Sequence, residues 1–161
     1  MSFWIAHSAH TLTDEIPAPP DKVRDFYVDL DNIKVVHPLV VSVQTISRSQ
    51  TPDGYQQTYR VHDRIPLGPL AIRITYWARV EVPGHGDVLT EARQFPRVSL
   101  NGTVNFQSID AGTLLTERLQ IAAPRPLAAM TQREAVQAHV AMLAGIRSHF
   151  ESLPGSDQLL P

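Results

Sequence analysis

The sequence contains no cysteine. That excludes disulfide bridges, thiolate metal sites and a cysteine nucleophile, and a reducing cytoplasm fits it. It also lacks any apolar run near about 18 residues, so no integral membrane segment is expected. The opening stretch MSFWIAHSAHTLTDE has neither a basic flank nor a continuous apolar core, and does not read as a secretory signal. No sign of charge dominates: 14 basic residues against 16 acidic ones leave a net charge of −2. The basic residues are scattered, so no nucleic-acid partner is expected. Phosphate cradles, dinucleotide fingerprints, G-x-S-x-G and H-E-x-x-H are all absent, and we expect no cofactor. Seven histidines raise the question of a metal. His7 and His10 fall on opposite faces of an extended segment, while His139 and His149 are ten apart. No metal site is expected.

What is present suits one domain. A chain of 161 residues that is 43% apolar can bury a core. We expect a single domain over residues 1–153 and a flexible carboxy-terminal tail, PGSDQLLP, over 154–161. Phe3 to Ile16 has no helical period and reads as a strand. Pro17, Pro19 and Pro20 end it, and Pro20 with Asp21 suits the first turn of a helix. Val23, Phe26, Tyr27 and Leu30 then recur at helical spacing. Asp31 is read as the cap of a second, very short helix through Val36, which Pro38 stops.

Beyond Pro38 the period changes to two. Val41, Val43 and Thr45 alternate, and TPDG has the chemistry of a turn. Tyr55, Gln57, Tyr59, Val61, Asp63 and Ile65 share one face of the next strand. Leu70, Ile72, Ile74, Tyr76, Ala78, Val80 and Val82 share a face of the one after, with Trp77 on the opposite side. Three more segments follow, near Val88–Phe95, Val98–Ile109 and Thr113–Ala122, the last two joined by a tight DAG hairpin. Leu127 to Leu153 reads as one long helix with a stripe at Val136, Val140, Leu143, Ile146 and Phe150. Gly145 inside it points to close packing against a neighbour. Strands joined by short turns form an antiparallel meander, and the long helix is the element available to cover its apolar face.

This order, together with IPAPPDKVRDFYVDLDN and His37-Pro38, resembles the START-like (SRPBCC) superfamily, in particular its polyketide cyclase/dehydrase and lipid-transport group. Ile16, Ala18, Pro19 and Val23 match the proline hinge of that group, Phe26 and Asp29 the aromatic and the acidic helix end, and DAGTLLTERL its turn into the last strand. The His37-Pro38 pair departs from the aromatic-rich segment common there. The resemblance implies an α+β helix-grip fold: a curved antiparallel seven-stranded sheet wrapped around a long C-terminal helix, with two short helices between strands 1 and 2. It also implies an elongated cavity for a hydrophobic small molecule such as a lipid, sterol or polyketide, and a monomer or homodimer.

The inward strand faces would offer Tyr59, Val61, Ile74, Tyr76, Phe106 and Leu119 to a ligand, with Val140 and Leu143 from the helix and His37 at the mouth. A cavity is favoured over a solid core. Glu117 shares a face with Leu115, Leu119 and Ile121. Turned inward it needs a partner, and His10, on the neighbouring first strand, is the candidate; a bulge would instead put Glu117 at the rim, which is slightly preferred. Asp63 is expected at the rim too. Glu117 and His10 are the candidates for proton transfer. Three functions compete: a carrier or sensor of a hydrophobic molecule, an aromatase/cyclase-type enzyme, and a non-catalytic accessory protein acting through its surface. A cavity with at most one polar group favours carriage, two or more convergent titratable groups favour catalysis, and a closed core beneath a large apolar patch favours the third.

Overall fold

A computed structural model describes residues 3–153; the tail expected over 154–161 lies outside the described residues. Strand β1 (Ile5–Ile16) runs into the proline corner, followed by helices α1 (Pro20–Val28) and α2 (Leu30–Val36). Six strands follow: β2 (Val40–Thr51), β3 (Gly54–Leu67), β4 (Leu70–Pro83), β5 (Val88–Gln94), β6 (Val98–Ile109) and β7 (Gly112–Pro124). Helix α3 (Arg125–Glu151) closes the chain. All seven strands form one antiparallel sheet in the order β1-β7-β6-β5-β4-β3-β2, which sets the first and last strands side by side. The helix-grip arrangement follows: α3 lies across the concave face of the sheet, and α1 and α2 fill one end.

Local chemistry accounts for the joints. Pro20 opens α1 and Asp21 occupies its first turn, where a missing N–H is harmless and a negative charge is favoured. The cap of α2 is Asp29, not Asp31: its side chain accepts the Asp31 N–H at 2.9 Å. Asp29 wins because it alone keeps extended backbone dihedrals between the two helices, as a cap requires. The β6–β7 turn holds Gly112 at a φ of 134°, open to glycine but strained for other residues. Next to it, the Thr113 hydroxyl donates to the Ala18 carbonyl at 2.7 Å and pins this turn against the proline corner.

The core runs from the inner faces of β3, β4 and β7 to one side of α3. Buried Met142, Leu143, Ile146 and Phe150 carry the helix side of it. Val140 does not belong to this stripe; it is 51% exposed. At 100° per residue it lies about 140° around the helix from the line through Met142 and Ile146, so the stripe runs through Ala138, Met142, Ile146 and Phe150 instead. Gly145 is a contact point, as its presence suggested. A Cβ there would stand 2.9 Å from Val36 Cβ, so α2 crosses α3 where α3 has no side chain.

Two substitutions one turn apart separate these faces. Leu143→Ala should lose about 2–5 kcal/mol of unfolding free energy, and Val140→Ala should stay within about 0.5 kcal/mol of the parent. Urea denaturation of both measures it, and equal losses would contradict the helix orientation described here.

Candidate functional site

A cavity of about 230 Å³ lies between the sheet and α3. Its deep end is walled by buried Tyr27, Ile33, Leu119 and Met142. It reaches the surface where its lining is only partly buried, at Ile65 and Tyr76, Gln94 and Pro96, and Leu127 and Met130. Most of the wall is aliphatic, which gives affinity by burial without direction.

Direction comes from a polar cluster. Glu117 on β7 has no exposed surface. Strand alternation turns it inward with Leu115, Leu119 and Ile121, and the unbroken β1–β7 and β6–β7 registers leave no bulge to carry it to the rim. Its two oxygens are both used. Tyr27 from α1 donates its hydroxyl to Oε2 at 2.7 Å, and His139 from α3 sets its Nδ1 against Oε1. Burial disfavours a charged His139 imidazole, but the charge of Glu117 and the hydrogen bond to it outweigh that, with Asp63 adding, and raise its pKa above the ordinary value. Burial, with the same carboxylate adding to it, holds the Tyr27 phenol well above its usual range. Nδ1 faces the carboxylate, so Nε2 is the nitrogen left over. Among the described residues no protein group bonds it, and no buried side-chain nitrogen or oxygen lacks a partner. Nε2 is therefore open on the cavity wall that His139 lines.

Two further groups face the same space. Asp63 is 7% exposed, not at the rim, because β3 continues four residues past it to Leu67. Burial raises its pKa to about 6, against the pull of the Tyr76 hydroxyl, which donates to it at 3.2 Å, and of His139. His37, the C-cap of α2, stands edge-on to His139 with ring centroids 5.4 Å apart. Its Nδ1 accepts the Leu39 N–H at 3.3 Å, which requires the neutral ring. Burial, with repulsion from His139, lowers its pKa to about 3.

No family model and no curated protein matches the sequence. Solved structures do match. The di-domain aromatase/cyclase BexL from the BE-7585A biosynthetic pathway superposes with a TM-score of 0.71 at 20% identity, over 92% of this chain and 51% of that one. The Zhui aromatase/cyclase from Streptomyces sp. R1128 gives 0.70 at 18%, over 91% and 94%. A START superfamily protein from Mycobacterium smegmatis gives 0.64 at 14%, over 90% and 97%. The chain has the START-like helix-grip fold. At these identities the likeness is one of fold, and this chain spans about half the length of BexL.

Within that START-like frame the expected site residues separate. Val61, Tyr76, Leu119 and His37 line the cavity, and Glu117 stands behind it through Tyr27 and His139. Tyr59 and Leu143 are core residues away from the cavity; the Tyr59 hydroxyl is taken by the Val28 carbonyl at 3.3 Å. Phe106 packs its ring against Tyr27, at 5.7 Å between centroids, and is not part of the cavity wall. Ile74 lies on the half of β4 that extends past β5, whose pairing with β4 ends at Trp77, and it is not part of this cavity's wall. Val140 faces outward. His10 is turned inward as expected, but it is the register partner of Leu119, not of Glu117, and its Nε2 meets the Ser8 hydroxyl at 3.1 Å. The partner of Glu117 is His139, which sequence reasoning weighed only as a metal ligand. The signal was present: His139 falls beside Ala138 and three residues before Met142, so it is a polar residue set inside the apolar stripe of α3.

The two histidines should titrate in opposite directions. Nitrogen-15 NMR should find His37 still neutral at pH 5 and His139 still charged above its ordinary 6.5. The signs for stability then differ. The contribution of His139 is full below 6.5 and is lost as pH rises through its raised folded value, while that of His37 is lost as pH falls from 6.5 toward 3. A charged His37 at pH 5 would contradict the burial and the Leu39 bond.

Proposed function

We propose that this chain binds a largely apolar small molecule in the cavity and moves protons on it, as an enzyme of the aromatase/cyclase kind. The observation that carries the reading is a single one. A histidine is locked by a buried carboxylate through Nδ1 and leaves Nε2 free on the wall of an otherwise aliphatic cavity. A merely structural buried histidine would satisfy both nitrogens inside the protein; this one keeps one for something else. The environments of His139 and Asp63 push their pKa values in ways that assign roles. Near neutral pH Asp63 is ionised and can accept a proton, while His139 holds one and can donate it.

On a β-hydroxy ketone of polyketide type, Asp63 would take the proton α to the carbonyl. The C–O bond at the β carbon breaks, and the proton of His139 leaves with the hydroxyl as water. The proton on Asp63 then returns to His139 through solvent, and the pair is restored. A second reading, carriage of a lipid or sterol without chemistry, is favoured by the aliphatic bulk of the wall. It leaves the polar cluster as an anchor for a ligand hydroxyl.

The two readings part on substitution. Glu117→Gln and His139→Gln should keep binding of a fluorescent fatty-acid or polyketone probe within a few-fold, yet lower turnover of a β-hydroxy polyketone by about 10²–10⁴-fold. The pH profile of kcat/KM should be a bell whose acid limb lies near pH 6, from Asp63, and Asp63→Asn should remove that limb. Tight probe binding by the parent with no turnover of any β-hydroxy polyketone would leave the carrier reading in its place.

A further inference from the structure

One end of the molecule departs from the scattered charge of the whole. The register carries a line across the sheet from His7 through Ala122, Ser99, Arg93 and Trp77 to Arg60. Past that line, on the side where the cavity opens, three separate tips end in large exposed side chains. The start of the chain presents Phe3 and Trp4, 78% and 75% exposed; the β3–β4 hairpin presents Leu70 at 72%; the β5–β6 turn presents Phe95 at 89%. Each tip borders the mouth. Pro96 follows Phe95 and lines the cavity, Ile72 near Leu70 pairs with lining Ile65, and the Trp4 carbonyl accepts the Arg125 N–H at 2.7 Å, two residues before lining Leu127.

The charge at this end has one sign. Arg64, Arg73, Arg97 and Arg125 are exposed, and none is in an ion pair among the described residues. The nearest carboxylates are engaged: Glu91 by Arg79 and Arg93, Glu134 by Arg133, while Asp63 is buried. Three of these arginines are placed against local preference. Arg64 and Arg73 are direct cross-strand partners, a destabilising pairing of like charges. Arg97 holds a φ of 61°, where glycine would be unstrained. Fold stability alone argues for other residues at all three positions.

We propose that this end docks on an anionic lipid surface, so that the cavity mouth faces the bilayer and an apolar ligand passes between them without crossing water. Aromatic side chains projecting from several tips suit the headgroup region better than a flat protein face, which would need a continuous apolar patch. A ring of arginines around them suits acidic headgroups. Docking does not depend on the proton chemistry at His139, and vesicles test it with no substrate present.

The probe is a vesicle of phosphatidylcholine with about 30 mol% phosphatidylglycerol, against phosphatidylcholine alone. Trp4 and Trp77 are the two tryptophans, so Trp77→Phe makes Trp4 the sole reporter. The protein should sediment with anionic vesicles and not neutral ones, with a blue shift of Trp4 emission. Arg64→Gln with Arg73→Gln should weaken binding by roughly tenfold or more, as should Phe95→Ser with Leu70→Ser, whereas Lys34→Gln at the other end should not. All of these side chains are exposed, and thermal melting checks that the variants fold. Absence of sedimentation, equal binding by all variants, Trp4 emission unchanged on sedimentation, or salt-sensitive binding to an acidic protein without binding to vesicles would each overturn the proposal.

Discussion

A carboxylate with no exposed surface constrains everything around it. Glu117 sits in the middle of β7 between Leu115 and Leu119, where an unpaired charge would be expelled or neutralised. It is kept by two donors from two helices, Tyr27 of α1 and His139 of α3. A buried ion pair of this kind is weak evidence for stability, because desolvation offsets most of its attraction. It is strong as a positional device. Removing His139 leaves a buried charge without its counterion, a loss of about 3–5 kcal/mol, and removing the Tyr27 hydroxyl leaves one carboxylate oxygen unpaired, so sheet, short helix and long helix are held to one mutual arrangement.

That requirement gives the proline corner its purpose. β1 must end at Ile16, and α1 must begin at once, for Tyr27 to reach β7 from the open side of the sheet. The Thr113–Ala18 bond fixes the corner, and the side-chain-free surface at Gly145 lets α2 approach α3. His37 is then carried to the edge of His139. With the end of the molecule plugged in this way, the remaining space opens toward the amino-terminal turns of α3. Its polar groups lie partway in, and its walls are aliphatic. The geometry suits a ligand that is mostly hydrocarbon and carries oxygen at one region.

The architecture was legible because its signals are local and repeated. Period two through β3, β4 and β7, the turn residues between them and the long period of α3 each specify an element. Alternation also placed Tyr59 and Val61 inward without any structure, and it put Asp63 on the same face although Asp63 was expected at the rim. Its limits were those of single elements. Alternation says which side of a strand a residue faces, but not how far the strand outruns its neighbour, so Ile72 and Leu70 share a face with buried Ala78 and Val80 and are nonetheless exposed. A stripe drawn at helical spacing drifted around α3 and took in Val140. The Glu117–His139 pair joins residues 22 apart on different elements, and only the crossing of α3 over β7 brings them together. Sequence pointed to a buried acid needing a partner, and named the neighbouring strand's His10 because strand adjacency is easier to infer than a helix crossing.

The central claim is that His139 presents a free Nε2, oriented by Glu117, to an apolar ligand space. An apolar α-bromoketone, incubated with the protein at mildly alkaline pH and followed by peptide mass spectrometry, tests it in one measurement. The account predicts that His139 is alkylated on Nε2 ahead of the exposed histidines His7 and His62. Reaction at those exposed rings while His139 stays unmodified would contradict it.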